Sequence, residues 1–196
     1  MQEVLPRLLG HCETEQIHLL DWGVGCGRLS RHIIDHPKIA KLTGVDIDPE
    51  AIEWCVTNLH GAFFETVPPF PPTSFPDGHF SAIIGLSVMT HLSREVQQLW
   101  IAELHRICTA GAIVALTTHG EVAAKMQGYS DRLLREGIID DIHDHSLKDV
   151  APLGYYRATF QSRDYTFSEW TKGFEIVEHI PGAIAGYQDL VLMRKI

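Results

Sequence analysis

Residues Ile17–Arg31 read IHLLDWGVGCGRLSR, and the rest of the chain is organised around this stretch. Its first four residues, Ile17–Leu20, predict a buried strand that ends in Asp21. Three alternating glycines then turn the chain into a helix that begins near Arg28. These glycines are Gly23, Gly25 and Gly27. A strand, a glycine-rich turn and a helix N-terminus together form a nucleotide-binding corner, because glycine lets the backbone approach a ligand closely.

The spacing of the glycines indicates which ligand is bound. A dinucleotide fingerprint requires GxGxxG, but counting from Gly23 places Arg28 at the third glycine, and counting from Gly25 places Ser30 there. The chain instead has DxGxGxG, with Asp21 two residues before the first glycine. We expect this acid to meet an ammonium group of the ligand. A tight strand-to-helix turn without any ligand is the alternative interpretation.

Length and composition limit the class of protein. At 196 residues and 45% hydrophobic content, the chain is long enough for one domain with a substantial core. A net charge of -9 disfavours a nucleic-acid substrate, since such proteins neutralise phosphates with basic side chains. No apolar run approaches membrane-spanning length. The four cysteines are widely spaced without a CxxC pair, so we expect a soluble, cytoplasmic protein in a reducing compartment.

A second acid marks the end of the next predicted strand, Leu42–Ile47. Asp46 lies there, where a carboxylate can accept both ribose hydroxyls of an adenosine, so Asp46 and Ile47 are candidate cofactor residues. The following Asp48 and Pro49 predict the cap and first residue of a helix. Asp48 is therefore interpreted as a helix cap, not as a ligand.

The third predicted strand, Ala62–Thr66, precedes the segment VPPFPPTSFPDG, which contains too many prolines for a helix. No acid clearly follows this strand to meet an adenine amino group. We expect Glu65, or the backbone near Thr66 and Val67, to take that place.

Two further strands end at the same predicted cleft. They are Phe80–Leu86, which is followed by SVMTHLS, and Ile113–Thr117, which is followed by a second histidine. In a doubly wound sheet, ligands bind outside the carboxyl ends of the strands. The residues expected to face the cleft are Leu86, Ser87, Thr90, His91, Thr118, His119 and Gly120.

Residues 120–160 are predicted to form a long, irregular excursion within the single domain 1–196. Long segments of this kind are often lids or binding loops, so we expect it to cover a substrate site. Its DDIHDH cluster, Asp140–His145, is a conceivable metal site, but the spacing fits no fixed ligand pattern. We interpret these side chains as solvent-facing and predict no metal.

The C-terminal part predicts a helix over 162–172 and two strands, Phe174–Ile180 and Asp189–Met193. The short connection between these strands indicates an antiparallel hairpin in place of another helical crossover. The predicted fold is therefore α/β: a doubly wound, Rossmann-like sheet that ends in an antiparallel hairpin.

Several blocks of the sequence resemble a bacterial family of small class I S-adenosylmethionine (SAM)-dependent methyltransferases. The blocks are DWGVGCGR, GVDIDPEAIEWC, FPDGHFSAIIGLSVMTHL, LTTHG and YQDLVLMRK. The resemblance covers nearly the whole chain beyond residue 17. The chain departs from the family at Val24, where cysteine is usual, at Thr109–Ala112, where a PGG turn is common, and at Gln161, where histidine is expected.

The resemblance implies the class I methyltransferase fold, SAM as cofactor, and a methionine moiety held by Asp21 and the glycine turn. Members of this family often accompany glycosyltransferases or are fused to them. This setting implies a glycan or another small hydroxylated acceptor, and a possible association with a glycosyltransferase system.

Methyl transfer to a hydroxyl needs a group that accepts the proton, and histidine titrates near neutral pH. His119 is the first candidate base and His91 the second, although each is also readily interpreted as a structural histidine. Gln188 and Asp189 are candidates for orienting the acceptor or the base.

Two other functions stay open at this point. A non-catalytic SAM-binding module of a larger glycan-assembly protein would bind SAM without turnover. A nicotinamide-dependent oxidoreductase would not bind SAM, and the failed GxGxxG spacing counts against it.

Overall fold

A computed structural model describes residues 4–144, 146–147 and 149–196. In this part of the chain, the strands are β1 (Ile17–Trp22), β2 (Ile39–Asp46), β3 (Phe63–Thr66), β4 (Phe80–Gly85), β5 (Cys108–Thr118), β6 (Ile138–His143), β7 (Arg157–Gln161), β8 (Phe174–Ile184) and β9 (Gln188–Lys195). The helices are α1 (Val4–His11), α2 (Ser30–Ile33), α3 (Pro49–Asn58), α4 (Arg94–Ile107), α5 (Glu121–Met126), α6 (Ser130–Glu136) and α7 (Arg163–Glu169), with a 3-10 helix at Met89–His91.

Seven strands form one sheet in the order β3-β2-β1-β4-β5-β9-β8. Neighbouring strands from β3 to β5 pair in parallel, whereas β9 is antiparallel to both β5 and β8. The predicted α/β fold with a C-terminal antiparallel hairpin is therefore confirmed. The order reverses between β1 and β4, which is the topological switch point where such sheets bind ligands.

Both faces of the sheet are buried, because alternate residues of each central strand point to opposite sides. On one face, Leu20 and Trp22 of β1 pack in a core with Trp100 of α4. On the other face, Ile17 and Leu19 pack in a second core with α1 and α2. The sheet is therefore held from both sides, and its strand ends are fixed in position.

The predicted helix cap at Asp48 is confirmed, and Ser93 caps a second helix. Asp48 accepts hydrogen bonds from the backbone N–H groups of Glu50 (2.9 Å) and Ala51 (3.4 Å) at the start of α3. Ser93 accepts one from Val96 (3.4 Å) at the start of α4. These contacts satisfy backbone donors that have no partner inside the helix.

Two elements differ in their bounds from the sequence-based expectation. The helix after the glycine turn is short: α2 begins at Ser30, not near Arg28, and has only four residues. Strand β8 continues to Ile184, since an irregular register between Ile180 and Ile184 keeps the pairing with β9.

The excursion 120–160 is more regular than expected. It contains α5, α6 and most of the two-stranded antiparallel β6–β7 sheet. Buried residues from these elements, including Leu133, Ile139 and Phe160, form a small core of their own. Apolar packing therefore orders a segment that has few strong local signals.

Candidate active site

A cavity of about 420 Å³ lies at the carboxyl ends of β1, β2 and β4. This volume is in the range of small-molecule sites, which measure roughly 300–1,000 Å³. The lining residues are Trp22, Gly23, Arg28, Val45, Asp46, Ile47, Val67, Leu86, Ser87, Val88, His91, Leu92, Trp100, Leu147, Tyr155 and Tyr156. Five of the predicted cofactor residues are among them: Gly23, Asp46, Ile47, Leu86 and Ser87.

The glycine turn is tied to the end of β2. The backbone N–H groups of Gly23 and Val24 both donate to the carbonyl of Val45, at 2.8 and 2.9 Å. Gly23 has a φ of 75°, and a Cβ at this position would collide with the side chain of Val88. This glycine is required by both backbone conformation and space, and it keeps the turn against the cavity.

Asp46 forms the polar side of the cavity below this turn. Its carboxylate accepts hydrogen bonds from the backbone N–H of Gly25 (2.8 Å) and of Asp48 (3.0 Å). Burial raises the pKa of Asp46, and these backbone donors oppose the rise. Each carboxylate oxygen has a second lone pair, so the group retains capacity for ligand hydroxyls.

Asp21 is placed differently from the expectation. It is buried under the turn and accepts a hydrogen bond from the Ser30 hydroxyl at 2.7 Å. It is not among the cavity-lining residues, so in this structure its visible contact is with α2, not with the cavity. Burial raises the pKa of Asp21 to about 6, and the nearby charge of Asp46 adds to this, against the Ser30 hydrogen bond.

Gly25 and Gly27 also lie outside the cavity lining. Gly25 has a φ of 50°, and a Cβ there would meet no protein atom within 4 Å. Gly27 packs under α3, where a Cβ would collide with Leu59. Gly27 therefore has a packing role, whereas Gly25 borders open space.

The residues on the opposite side of the cavity could not be identified from local patterns. The Pro69 carbonyl accepts hydrogen bonds from Trp100 Nε1 (3.1 Å) and from the Tyr155 hydroxyl (2.7 Å). This arrangement brings the proline-rich segment, α4 and the 120–160 excursion together. Of the three residues expected near the adenine, Val67 lines the cavity, whereas Glu65 and Thr66 do not.

Ser87 is held in an unusual conformation at the cavity edge. Its φ is 59°, and its backbone N–H donates to the Thr117 hydroxyl at 2.8 Å. Its own hydroxyl pairs with the side-chain amide of Gln188, with contacts of 2.9 and 3.1 Å. A non-glycine residue at positive φ often marks a functional position.

Asp189 does not line the cavity. Its carboxylate accepts hydrogen bonds from His179 Nε2 (3.1 Å) and from the Gly182 backbone N–H (2.8 Å). A Cβ on Gly120 would collide with this carboxylate, so the acid is closely packed. The buried Asp189 thereby connects β8, β9 and the end of β5.

His91 lines the cavity and has a defined protonation pattern. Its Nδ1 lies 2.8 Å from the carbonyl oxygen of Arg157, which can only accept. The proton of the neutral ring is therefore on Nδ1, and Nε2 keeps its lone pair. Burial lowers the pKa of His91, while the Arg157 hydrogen bond and the charge of Asp144 oppose this. At neutral pH, His91 is an uncharged group able to accept a proton.

His119 lies behind His91 and outside the cavity lining, with the two rings 6.2 Å apart and nearly perpendicular. Its Nδ1 is buried without a hydrogen-bond partner among the described residues. Burial lowers the pKa of His119 to about 4, helped by His91 and opposed by a hydrogen bond to the Thr159 main chain and by Asp189. The structure therefore brings His91, not His119, to the cavity.

Two acids of the DDIHDH cluster in the excursion form ion pairs. Asp140 pairs with Arg94 (2.9 Å), and Asp141 pairs with Arg132 (2.7 Å). His145 lies outside the described residues. Within the described part of the chain, no group of three or more His, Cys, Asp or Glu residues is arranged to hold a metal ion.

Comparison with known proteins extends these observations. Residues 19–111 match the family model described as a methyltransferase domain. A SAM-dependent methyltransferase from Methanosarcina mazei superposes with a TM-score of 0.71 at 20% identity, covering 96% of each chain. Another from Mesorhizobium loti gives 0.70 at 15% identity, covering 97% of this chain and 96% of that one.

The N-methyltransferase NodS from Bradyrhizobium japonicum, solved with S-adenosyl-L-homocysteine (SAH), gives a TM-score of 0.65 at 13% identity. That match covers 99% of this chain and 84% of NodS. No curated protein is significantly similar in sequence. Among the described residues, no helix is both long and apolar enough to cross a membrane. Residues 19–111 are thus similar to a methyltransferase domain, and the chain has the fold of these SAM-dependent methyltransferases.

Proposed function

We propose that the enzyme transfers the methyl group of SAM to a hydroxyl oxygen of a small-molecule or glycan acceptor, with His91 as general base. This proposal rests on His91, which lines the cavity and donates its Nδ1–H to the Arg157 carbonyl, so that the lone pair of Nε2 can accept a proton. In the reaction, the carbon–sulfur bond breaks as the carbon–oxygen bond forms. The hydroxyl proton passes to Nε2, and SAH is the second product.

The sulfonium already activates the methyl group, so the protein mainly aligns the reactants and excludes water. We propose that Asp46 binds the ribose, that Gly23 and Gly25 accommodate the methionine part, and that Ile47 and Leu86 contact the adenosine. Asp21 and Gly27 support the turn from beneath. Gln188 acts indirectly, by holding the Ser87 hydroxyl, and Asp189 has a structural role.

We propose that residues 120–160 form the substrate-side cover of a single domain, 1–196. Leu147, Tyr155 and Tyr156 support this, because they contribute cavity walls from that segment. The family resemblance favours a glycan acceptor and an association with a glycosyltransferase system. The four cysteines are free thiols, which favours a reducing compartment such as the cytoplasm.

The base is tested with His91→Gln and the matched control His119→Gln. Calorimetry with SAH measures cofactor affinity, and single-turnover transfer of tritiated methyl groups to sugar and small hydroxylated acceptors measures the chemistry. His91→Gln should lower transfer by about a hundredfold, whereas His119→Gln should retain it within a few-fold. The opposite pattern would assign the base to His119. SAH binding without transfer to any acceptor would favour a non-catalytic SAM-binding module.

The pH dependence gives an independent check. Transfer should rise with pH through the pKa of His91, since only the unprotonated ring accepts a proton. Because burial places this pKa below its ordinary value of 6.5, the rate should be flat above about pH 7. A rate that still rises between pH 8 and 9 would exclude His91 as the base.

A further inference from the structure

The ring of Tyr156 lies flat against the imidazole of His91. The two ring centroids are 4.1 Å apart and the planes are inclined by 14°. The next residue in the chain, Arg157, supplies the carbonyl that accepts the His91 Nδ1–H. Two consecutive residues therefore contact the same histidine, one at its face and the other at its edge.

These two contacts restrain different motions of the ring. A single hydrogen bond fixes the Nδ1 edge but allows the imidazole to tilt about the N–H···O axis. The stacked phenol ring removes this tilt, since parallel packing fixes the plane. Together they hold Nε2 in one direction, and preorganisation of this kind is required of a general base.

The segment that carries both contacts is itself docked on the core. The Thr159 hydroxyl donates to the Leu92 carbonyl at 2.8 Å. Arg94 pairs with Asp140 through two nitrogens and also through its backbone N–H. The base is therefore oriented only when the β6–β7 sheet is seated next to the 3-10 helix.

Resting on the proposed function, we infer that Tyr156 is a positioning residue that orients the general base His91. Burial raises the pKa of Tyr156 to about 12, so its hydroxyl stays protonated at neutral pH and does not serve as the base. The other titratable or charged groups around His91 are Asp144, which raises its pKa, the neighbouring His119, and Arg28 on the cavity wall. The aromatic ring of Tyr156, and not its hydroxyl, orients the imidazole of His91.

Four variants distinguish the contribution of the Tyr156 ring from that of its hydroxyl and from a general loss of packing. Tyr156→Phe keeps the ring, Tyr156→Leu removes it, and Tyr156→Met replaces it with a flexible chain if the Leu variant fails to fold. The matched control is Tyr187→Leu, because Tyr187 packs its ring against His119 at 5.1 Å. Nitrogen NMR of the histidine rings reports the tautomer and pKa of His91 without any acceptor. Single-turnover transfer at saturating SAM reports the chemistry.

Tyr156→Phe should retain the Nδ1–H tautomer and the rate within about threefold. Tyr156→Leu or Tyr156→Met should keep the Nδ1–H tautomer, because the Arg157 carbonyl still accepts that proton. These variants should nevertheless lower transfer at least about tenfold, because the ring of His91 can then tilt. The pKa of His91 should rise in these variants as water reaches the ring, which moves the acid limb of the rate profile to higher pH. Tyr187→Leu should leave the pKa of His91 unchanged and the transfer rate within about threefold.

An unchanged transfer rate together with an unchanged pKa of His91 in the Leu or Met variants would overturn the positioning role. So would equal losses in the Phe and Leu variants, because the hydroxyl would then be the active part. A raised pKa of His91 with a normal transfer rate has a different meaning: Tyr156 packs on His91, but His91 is not the base. The measurements thus distinguish a Tyr156 that does not position His91 from a His91 that is not the base.

Discussion

Asp46 is the single residue on which cofactor binding is expected to depend most. If Asp46 binds the ribose as proposed, Asp46→Ala should weaken SAH binding by about 1.5 to 3 kcal/mol, because charge-assisted hydrogen bonds are lost. Asp48→Ala is the matched control, since it removes a neighbouring acid that caps α3. The control should cost about 1 kcal/mol of stability without a comparable loss of affinity. Calorimetry and thermal unfolding of both variants provide the comparison, and equal affinities in folded proteins would refute the ribose assignment.

The buried Asp21 makes the free energy of unfolding depend on pH. Its pKa is 3.8 in the unfolded chain and about 6 in the folded one, so the folded state holds the proton more tightly between these values. This group therefore makes the free energy of unfolding fall as the pH rises from 3.8 through about 6. The loss is of the order of 1 to 3 kcal/mol at neutral pH.

Asp21→Asn should accordingly raise the free energy of unfolding at pH 7.5 and leave it little changed at pH 4. Urea unfolding of the unliganded variant and wild type at both pH values measures this difference. SAH affinity of the same variant tests the expected ammonium contact. A variant that is less stable than wild type at pH 7.5 would contradict the buried-charge explanation.

The glycine turn is the element that should respond most to added side chains. Gly25→Val places a branched side chain in open space beside the cavity, at a φ of 50°. Gly111→Val is a close control, because Gly111 has a φ of 75°, a Cβ there would also meet no atom within 4 Å, and it lies near the start of β5. Both variants should carry a similar backbone strain, of the order of 1 to 3 kcal/mol.

The two variants should therefore have similar melting temperatures but different affinities. Gly25→Val should abolish measurable SAH binding by calorimetry, whereas Gly111→Val should bind normally. Normal binding by Gly25→Val would show that the ligand does not approach this turn.

The connection between β3 and β4 explains why one side of the cavity was not recognised in the sequence. Its prolines exclude a helix, so helical periodicity gives no information on which residues face inward. The Pro69 carbonyl is a backbone group without a sequence signature, yet it accepts hydrogen bonds from Trp100 and Tyr155. The sequence did show that no acid clearly follows β3. In the structure, Val67 and aromatic side chains line this side of the cavity.

For the whole molecule, cofactor binding should appear as thermal stabilisation. A ligand at about 100 times its Kd adds roughly 2.7 kcal/mol to the free energy of unfolding. In a chain of this length, that raises Tm by about 5–10 °C. Differential scanning fluorimetry should show this shift with SAH, no shift with NAD, and a reduced shift for Asp46→Ala. An equal shift with NAD would contradict the assignment of the cavity to SAM.

The strands of the sheet, the glycine turn and the place of Asp46 at the end of β2 could be predicted from local signals. Apolar strands, glycine spacing and helix caps are local signals, because burial periodicity and turn conformation depend on neighbouring residues. The ending Phe174–Lys195 likewise predicted an antiparallel hairpin, although β8 extends further than expected.

Long-range packing, in contrast, determines which histidine faces the cavity and which tautomer it adopts. His91 and the Arg157 carbonyl are 66 residues apart, and Tyr155 and Pro69 are 86 residues apart. Contacts at such separations form when several elements pack simultaneously, and no local pattern encodes them. His119 follows its strand as predicted, but the docking of β7 buries it behind His91, because packing, not strand position, determines which side chain reaches the ligand.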